Sequence, residues 1–196
     1  MQFLEKSEPH GHLEIWKHYP DGSKELHFKD NNVICSGMGA TLAEMFDAYP
    51  TADVENFQCV YFRCGSGGAA EYQLSSRSDV VLPFNRAQYG TGNLNMSIHS
   101  LIANGAKTLT QPFGTIPYGY IKRVTPTKCM WQIVLDEQTL NVGDEVPEGY
   151  INEIGLYSKN PYIEATDASM LCAYRYFKKI YKTDAFILVF RWTIEF

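Results

Sequence analysis

The sequence lacks any apolar run approaching the roughly 18 residues that a membrane-spanning helix needs, so we expect no such helix. Its first residues also lack the long apolar stretch of a signal peptide. The five cysteines form no Cys-x-x-Cys pair and have no histidine at zinc-finger spacing. These absences predict a chain made in a reducing compartment, with free and partly buried thiols.

Positive charge is scarce, because 17 Lys and Arg face 22 Asp and Glu, which leaves a net charge of -5. Binding to duplex nucleic acid depends on a patch of Lys and Arg that releases counterions. Direct nucleic-acid binding is therefore not expected. The densest basic group is Lys178, Lys179 and Lys182, which the pattern places in a solvated turn.

Local catalytic patterns are missing as well. There is no Gly-x-Ser-x-Gly turn and no cysteine with a histidine and a carboxylate nearby. The loop Gly65-Ser66-Gly67-Gly68 follows a predicted strand, but no Gly-Lys-Ser/Thr follows it, so a nucleotide cradle is not expected. Dispersed carboxylates keep a hydrolase open as a rival hypothesis, and the candidates are Glu71, Asp79, Glu153 and Glu164. We predict no catalytic residue and no cofactor, with Glu153 structural.

Two groups of side chains contain residue types that bind metal ions. Three histidines share the outer face of a predicted hairpin, namely His12, His18 and His27. An acidic loop contains Asp136, Glu137, Asn141, Asp144, Glu145 and Glu148, without the spacing of a calcium loop. We predict solvated side chains in both groups and no metal site.

What the sequence does contain is alternation with a period of two, which is typical of half-buried strands. The segments 12–19 and 24–28 alternate around the turn Pro20-Asp21-Gly22-Ser23 and predict a β-hairpin. Pairing Ile15 with Phe28 and Trp16 with His27 gives the hairpin two distinct faces. The predicted apolar face holds Leu13, Ile15, Tyr19, Leu26 and Phe28, and the polar face holds Glu14, Trp16, His18, Glu25 and His27.

After the hairpin, helical spacing predicts one short helix of about 10 residues that begins near Ser36 and stops before Tyr49-Pro50. Its apolar stripe is Met38, Leu42, Met45 and Phe46. An apolar run over 57–64 predicts a buried strand. Residues 65–117 then read as a long, loop-rich arm or insertion with strands near 93–102 and 107–110.

Five further strands are predicted over 118–124, 129–135, 151–157, 170–177 and 186–196. The last is the clearest, because every second residue is large and apolar. Those residues are Phe186, Leu188, Phe190, Trp192, Ile194 and Phe196. Together the elements predict a mainly β fold, an antiparallel, jelly-roll-like β-sandwich with one short α-helix, in a single domain spanning 1–196.

Several short blocks occur in an order that resembles virion structural proteins of tailed bacteriophages, especially small tail and neck-region proteins of marine and cyanobacterial phages. In the C-terminal half these blocks are 151–157 (INEIGLY), 171–177 (LCAYRYF), 182–186 (KTDAF) and 190–196 (FRWTIEF). The N-terminal half is similar through Asn31-Asn32-Val33-Ile34, Gly37-Met38-Gly39 and the 65–68 glycine loop.

The resemblance implies a non-enzymatic structural subunit of a virion assembled in the host cytoplasm, at the neck, collar or tail, joining rings or anchoring fibres. Its partners are then copies of itself and other virion proteins, without direct contact to nucleic acid or membrane. A capsid decoration protein is one alternative. A carbohydrate-binding β-sandwich is another, for which the aromatic candidates are Trp16, Tyr61, Tyr118, Tyr120 and Trp131.

Deleting residues 186–196 should abolish folding, because each apolar side chain of this strand contributes about 1.5 to 3 kcal/mol when buried. Six of them together match the whole net stability of an ordinary domain. Circular dichroism during heating should show no cooperative transition for the shortened chain. A cooperative melt close to that of the full chain would contradict the assignment of this segment to the core.

Overall fold

The computed structural model describes residues 9–47, 57–65, 114–138, 150–159 and 169–196. These residues form nine strands, one α-helix and a 3-10 turn at Tyr118–Tyr120. In chain order the helix and strands are β1 (His10–His18), β2 (Lys24–Ile34), α1 (Ser36–Asp47), β3 (Cys59–Gly65), β4 (Gly114–Thr115), β5 (Ile121–Thr125), β6 (Lys128–Leu135), β7 (Ile151–Lys159), β8 (Ser169–Ile180) and β9 (Ile187–Glu195).

All strand pairs in the described residues are antiparallel, in the order β4-β3-β7-β8-β2-β1-β9-β6-β5. Strand β2 belongs to two sheets, because its first part pairs with β1 whereas Val33 and Ile34 pair with β8. We call β2, β1, β9, β6 and β5 sheet A, and β4, β3, β7, β8 and the end of β2 sheet B. The prediction of a mainly β, antiparallel fold with one short helix is confirmed.

Strand β9 lies inside sheet A, between β1 and β6, and pairs with both without a register shift. Its inward side chains Leu188, Phe190, Trp192 and Ile194 have no exposed surface. The strand therefore has the alternation predicted from the sequence: every second side chain lies on the core, and the side chains between them face outward.

The two sheets pack face to face over one apolar core. Phe177 of sheet B lies between Phe28 and Phe190 of sheet A, with ring centroids 6.1 and 6.0 Å away. The indole of Trp131 on β6 crosses the core and donates a 2.8 Å hydrogen bond from Nε1 to the backbone oxygen of Cys59 on β3. This sandwich-like packing follows from the apolar inner faces of both sheets.

The first hairpin contains a bulge that the sequence pattern does not reveal. Ile15 pairs with Phe28 as predicted, but Trp16 pairs with Leu26, which leaves His27 as the extra residue on β2. The extra residue shifts the alternation by one, so the side chains on the Leu26 side of the bulge occupy the faces opposite to those predicted. Leu26 therefore lies on the outer face and is 43% exposed. Glu25 moves to the other side, where it contacts Lys17 at 3.3 Å. The predicted faces of Leu26 and Glu25 were wrong.

The helix was predicted correctly, but its apolar stripe is only partly buried. Met38 is buried and Leu42 half-buried, whereas Met45 and Phe46 in the last turn are exposed. The backbone N–H of Met38 donates to the oxygen of Cys35 at 2.9 Å, which closes the first turn.

Other boundaries differ in detail. The segment predicted as a strand from Tyr118 begins with the 3-10 turn, and the strand itself starts at Ile121. Of the predicted arm over 65–117, residues 66–113 lie outside the described residues, as do both strands predicted within it. The described parts are Gly65, which ends β3, and 114–117, where β4 pairs with β3. The single-domain assignment for 1–196 stays a prediction.

Two glycine substitutions should have opposite effects on stability. A Cβ on Gly11 would lie 2.5 Å from Oδ1 of Asn32 and 2.6 Å from the backbone oxygen of Thr193, whereas a Cβ on Gly39 in α1 meets nothing within 4 Å. Gly11→Ala should therefore lower the free energy of unfolding by about 1 to 3 kcal/mol. Gly39→Ala should raise it by about 0.5 to 1 kcal/mol. Urea denaturation measures both, and equal stabilities would contradict the packing around Gly11.

Candidate interaction surfaces

An apolar row crosses the outer face of sheet A. Leu26 of β2 pairs with Trp16 of β1, Trp16 pairs with Val189 of β9, and Val189 pairs with Val134 of β6. We call these four residues the apolar row. Leu26 and Val134 at its two ends are 43% and 39% exposed, Trp16 is half-buried, and Val189 is only 3% exposed. Another molecule can therefore contact the two ends of the row and part of the Trp16 side chain.

The Trp16 side chain is held in place by charged neighbours on the same face. Its Nε1 donates to Oε2 of Glu14 at 3.1 Å, and the guanidinium of Arg191 lies 5.9 Å from the ring centroid. Lys29 contacts the other oxygen of Glu14 at 2.8 Å, and this contact is the main reason why the pKa of Glu14 is lowered. A fixed tryptophan beside an arginine is a common anchor in protein interfaces.

A second candidate site is an apolar cleft of about 300 Å³ at the open edge between the two sheets. It is lined by α1, the start of β3, the 3-10 turn, β5, β6 and the C-terminal residue. Its aromatic walls are Phe57, Tyr118, Trp131 and Phe196. Arg123 is the one charged residue among its lining residues. This size and lining suit one bulky apolar group.

Sheet B buries polar groups that the sequence alone did not distinguish from solvated ones. Glu153 on β7 has no exposed surface and accepts a 2.6 Å hydrogen bond from the hydroxyl of Tyr174 on β8. Burial, and then the negative charge of Glu153, raise the pKa of Tyr174. Glu153 therefore lies inside the packed sheet, as expected of a structural residue. The other carboxylate candidates, Glu71, Asp79 and Glu164, lie outside the described residues.

A hydroxyl and thiol cluster joins α1 to sheet B. Thr41 Oγ1 lies 2.8 Å from Ser158 Oγ, and Cys172 Sγ donates to the same Ser158 oxygen at 3.5 Å. All five cysteines are free, and burial raises the pKa of Cys35 well above its usual range. Free thiols with this degree of burial pack as small apolar groups.

The three basic residues predicted in a solvated turn have different environments. Lys178 and Lys179 are exposed at the end of β8, but Lys182 is only 1% exposed. Its Nζ donates to the backbone oxygen of Thr183 at 2.7 Å and lies 5.4 Å from the centroid of Phe186. The prediction of a solvated connection was wrong for Lys182, whose ammonium group lies against an aromatic face.

The histidine candidates are not brought together. His12 and His18 lie six residues apart on the extended strand β1, about 20 Å at 3.3 Å per residue. Burial lowers the pKa of His18 and of His27, which is the bulged residue of β2. Within the described ranges no group of three or more His, Cys, Asp or Glu could hold a metal ion. Of the acidic loop, only Asp136 and Glu137 fall in those ranges.

The aromatic candidates are also dispersed. Trp16 lies on the outer face of sheet A, Tyr61 on β3, and Trp131 in the core. Tyr118 and Tyr120 are exposed on the 3-10 turn and line two different clefts. They form no common stacking platform in the described structure. Tyr118 is the most exposed of the five, at 78%, whereas Trp16 is half-buried and contacts Glu14 and Arg191.

No protein-family model, no curated protein and no solved structure matches the chain. Among the described helices none is long and apolar enough to cross a membrane. The structure itself defines a mainly β, two-sheet protein with a tryptophan on the outer face of one sheet and an apolar cleft at one edge.

Replacing Tyr174 by phenylalanine should destabilise the protein by about 1.5 to 3 kcal/mol, because a fully buried carboxylate loses a hydrogen-bond donor. Tyr181→Phe provides the matched control, since Tyr181 is 59% exposed and should change the free energy of unfolding by less than about 0.5 kcal/mol. Chemical denaturation compares the two variants. Equal stabilities would show that the buried Glu153 does not depend on Tyr174.

Proposed function

We propose that the chain is a structural subunit of a tailed-phage virion, at the neck, collar or tail, and that it acts through protein–protein contacts rather than catalysis. The phage assignment rests on the ordered sequence blocks in both halves of the chain. The observation that carries the contact role is the apolar row with Trp16 at its centre, on the outer face of sheet A.

Two features support a contact role for this face. It belongs to a sheet whose central inner side chains, such as Ile15 and Phe190, are fully buried, so the position of Trp16 is set by a packed support. The Glu14 and Arg191 contacts restrict the indole before any partner arrives. Less side-chain entropy is then lost on association, which favours tight binding. The proposed occupant of this face is a neighbouring virion protein.

Charges beside the row give the contact a defined orientation. Glu14 pairs in register with Lys29 on one side and with Arg191 on the other, so a row of alternating charges runs parallel to the apolar row. A partner with complementary charges can pack in only one orientation. The alternative role is carbohydrate binding, in which a sugar ring stacks on the same Trp16 surface. Particle incorporation and glycan-array binding distinguish the virion role from this alternative.

The test uses particles produced from the genome that encodes the chain. Quantitative mass spectrometry of purified particles should find the chain, and Trp16→Ala should reduce its incorporation at least tenfold, as expected for an interface anchor worth about 2 kcal/mol or more. Tyr181→Ala, which removes an exposed aromatic ring elsewhere, should be incorporated normally. Both variants should first show cooperative thermal melts.

Absence of the chain from purified particles would overturn the virion assignment. Incorporation of Trp16→Ala at the parental level would overturn the role of the apolar row. If the chain is absent from the particles and binds a glycan array, and if this binding disappears with Trp16→Ala, the carbohydrate-binding alternative replaces the proposal.

A further inference from the structure

The last turn of α1 carries an exposed aromatic side chain. Phe46 is 84% exposed and Met45 is 44% exposed. Met38 and Leu42 line the edge cleft, and Phe46 follows Leu42 by four residues, so it continues the same side of the helix about 6 Å further on. The exposed ring and the cleft are therefore neighbours on one surface of the molecule.

The cleft is suited to receive such a ring. Its volume of about 300 Å³ is bounded by aromatic and aliphatic side chains, and Tyr118 at its mouth is 78% exposed. Phe46 cannot fill the cleft of its own molecule, because it lies on the same rigid helix whose earlier turns form the cleft wall. A second copy of the chain carries the same exposed ring and can supply it.

Charge also favours a second copy as the occupant. The last turn of α1 contains no basic residue. The C-terminal end of a helix carries a partial negative charge, so this end of α1 favours an approaching cation. Arg123 is the charged residue that lines the cleft.

We propose that two copies of the chain associate about a two-fold axis, with Phe46 of each copy inserted into the cleft of the other. A two-fold arrangement follows because the ring and the cleft lie side by side, so that one contact generates the second. This inference deepens the proposed role in assembly and rests on it for its biological purpose. It uses a different surface from the apolar row.

A cysteine pair tests the geometry directly. Cys129 lines the cleft as a half-buried free thiol. Met45→Cys keeps the Phe46 ring and places a thiol beside it, at a position that is 44% exposed in the parental chain. Treated at micromolar concentration with a short bis-maleimide, this variant should give a covalent dimer on a denaturing gel, with peptide mapping that joins positions 45 and 129. The double variant Met45→Cys, Cys129→Ser should give no dimer. Absence of dimer in the single variant, or a dimer that survives Cys129→Ser, would overturn the reciprocal contact.

Sedimentation velocity on the unmodified chain gives a second readout. Phe46→Ser should weaken self-association at least tenfold, whereas Tyr181→Ser should not change it, since Tyr181 is an exposed aromatic residue outside the cleft. Equal association of Phe46→Ser and the parental chain would contradict the inference. If the chain forms a Phe46-dependent dimer but is absent from purified particles, the virion role alone is refuted. If the chain is present in particles but forms no such dimer, the reciprocal Phe46 contact alone is refuted.

Discussion

The structure depends on the burial of one face of β9. This strand lies between β1 and β6 and pairs with both in continuous register. Its four inward side chains, from Leu188 to Ile194, have no exposed surface. Because they cover the inner face of sheet B, they hold the two sheets together at their centre, and the aromatic contact between Phe190 and Phe177 joins one sheet to the other. Hydrophobic burial on this scale is the main term that opposes the entropy of the unfolded chain.

The alternation that places apolar side chains in the core also determines which side chains lie on the outer surface. On β1, Leu13 and Ile15 are fully buried, whereas Glu14 and Trp16 between and after them face outward. The inward residues fix the strand, and the fixed strand positions the indole of Trp16 relative to its charged neighbours. The edge cleft arises in a comparable way, because Trp131 is anchored across the core to β3 and forms one of its aromatic walls. Both candidate contact surfaces are therefore consequences of core packing.

Much of the fold could be predicted from the sequence because period-two patterning is a local signal. The final strand and the first hairpin follow from it, and the helix follows from apolar residues at helical spacing, which is also a local signal. The bulge at His27 could not be predicted, since Leu26 and Phe28 alternate as they would in a regular strand. Burial of Lys182 could not be predicted either, since three nearby lysines indicate a solvated segment, whereas the Lys182 ammonium lies against the ring of Phe186. The cleft combines residues from Met38 to Phe196, so only tertiary structure brings them together.

Native-state hydrogen exchange of the purified chain tests the central role of β9 most directly. If β9 holds the two sheets together, its amides should exchange only through global unfolding, with the same free energy as those of β1 and β6. The edge strand β5, which is mostly exposed, should exchange through smaller local openings. Amides of β9 that exchange as fast as those of β5 would contradict this account of the fold and of the surfaces it supports.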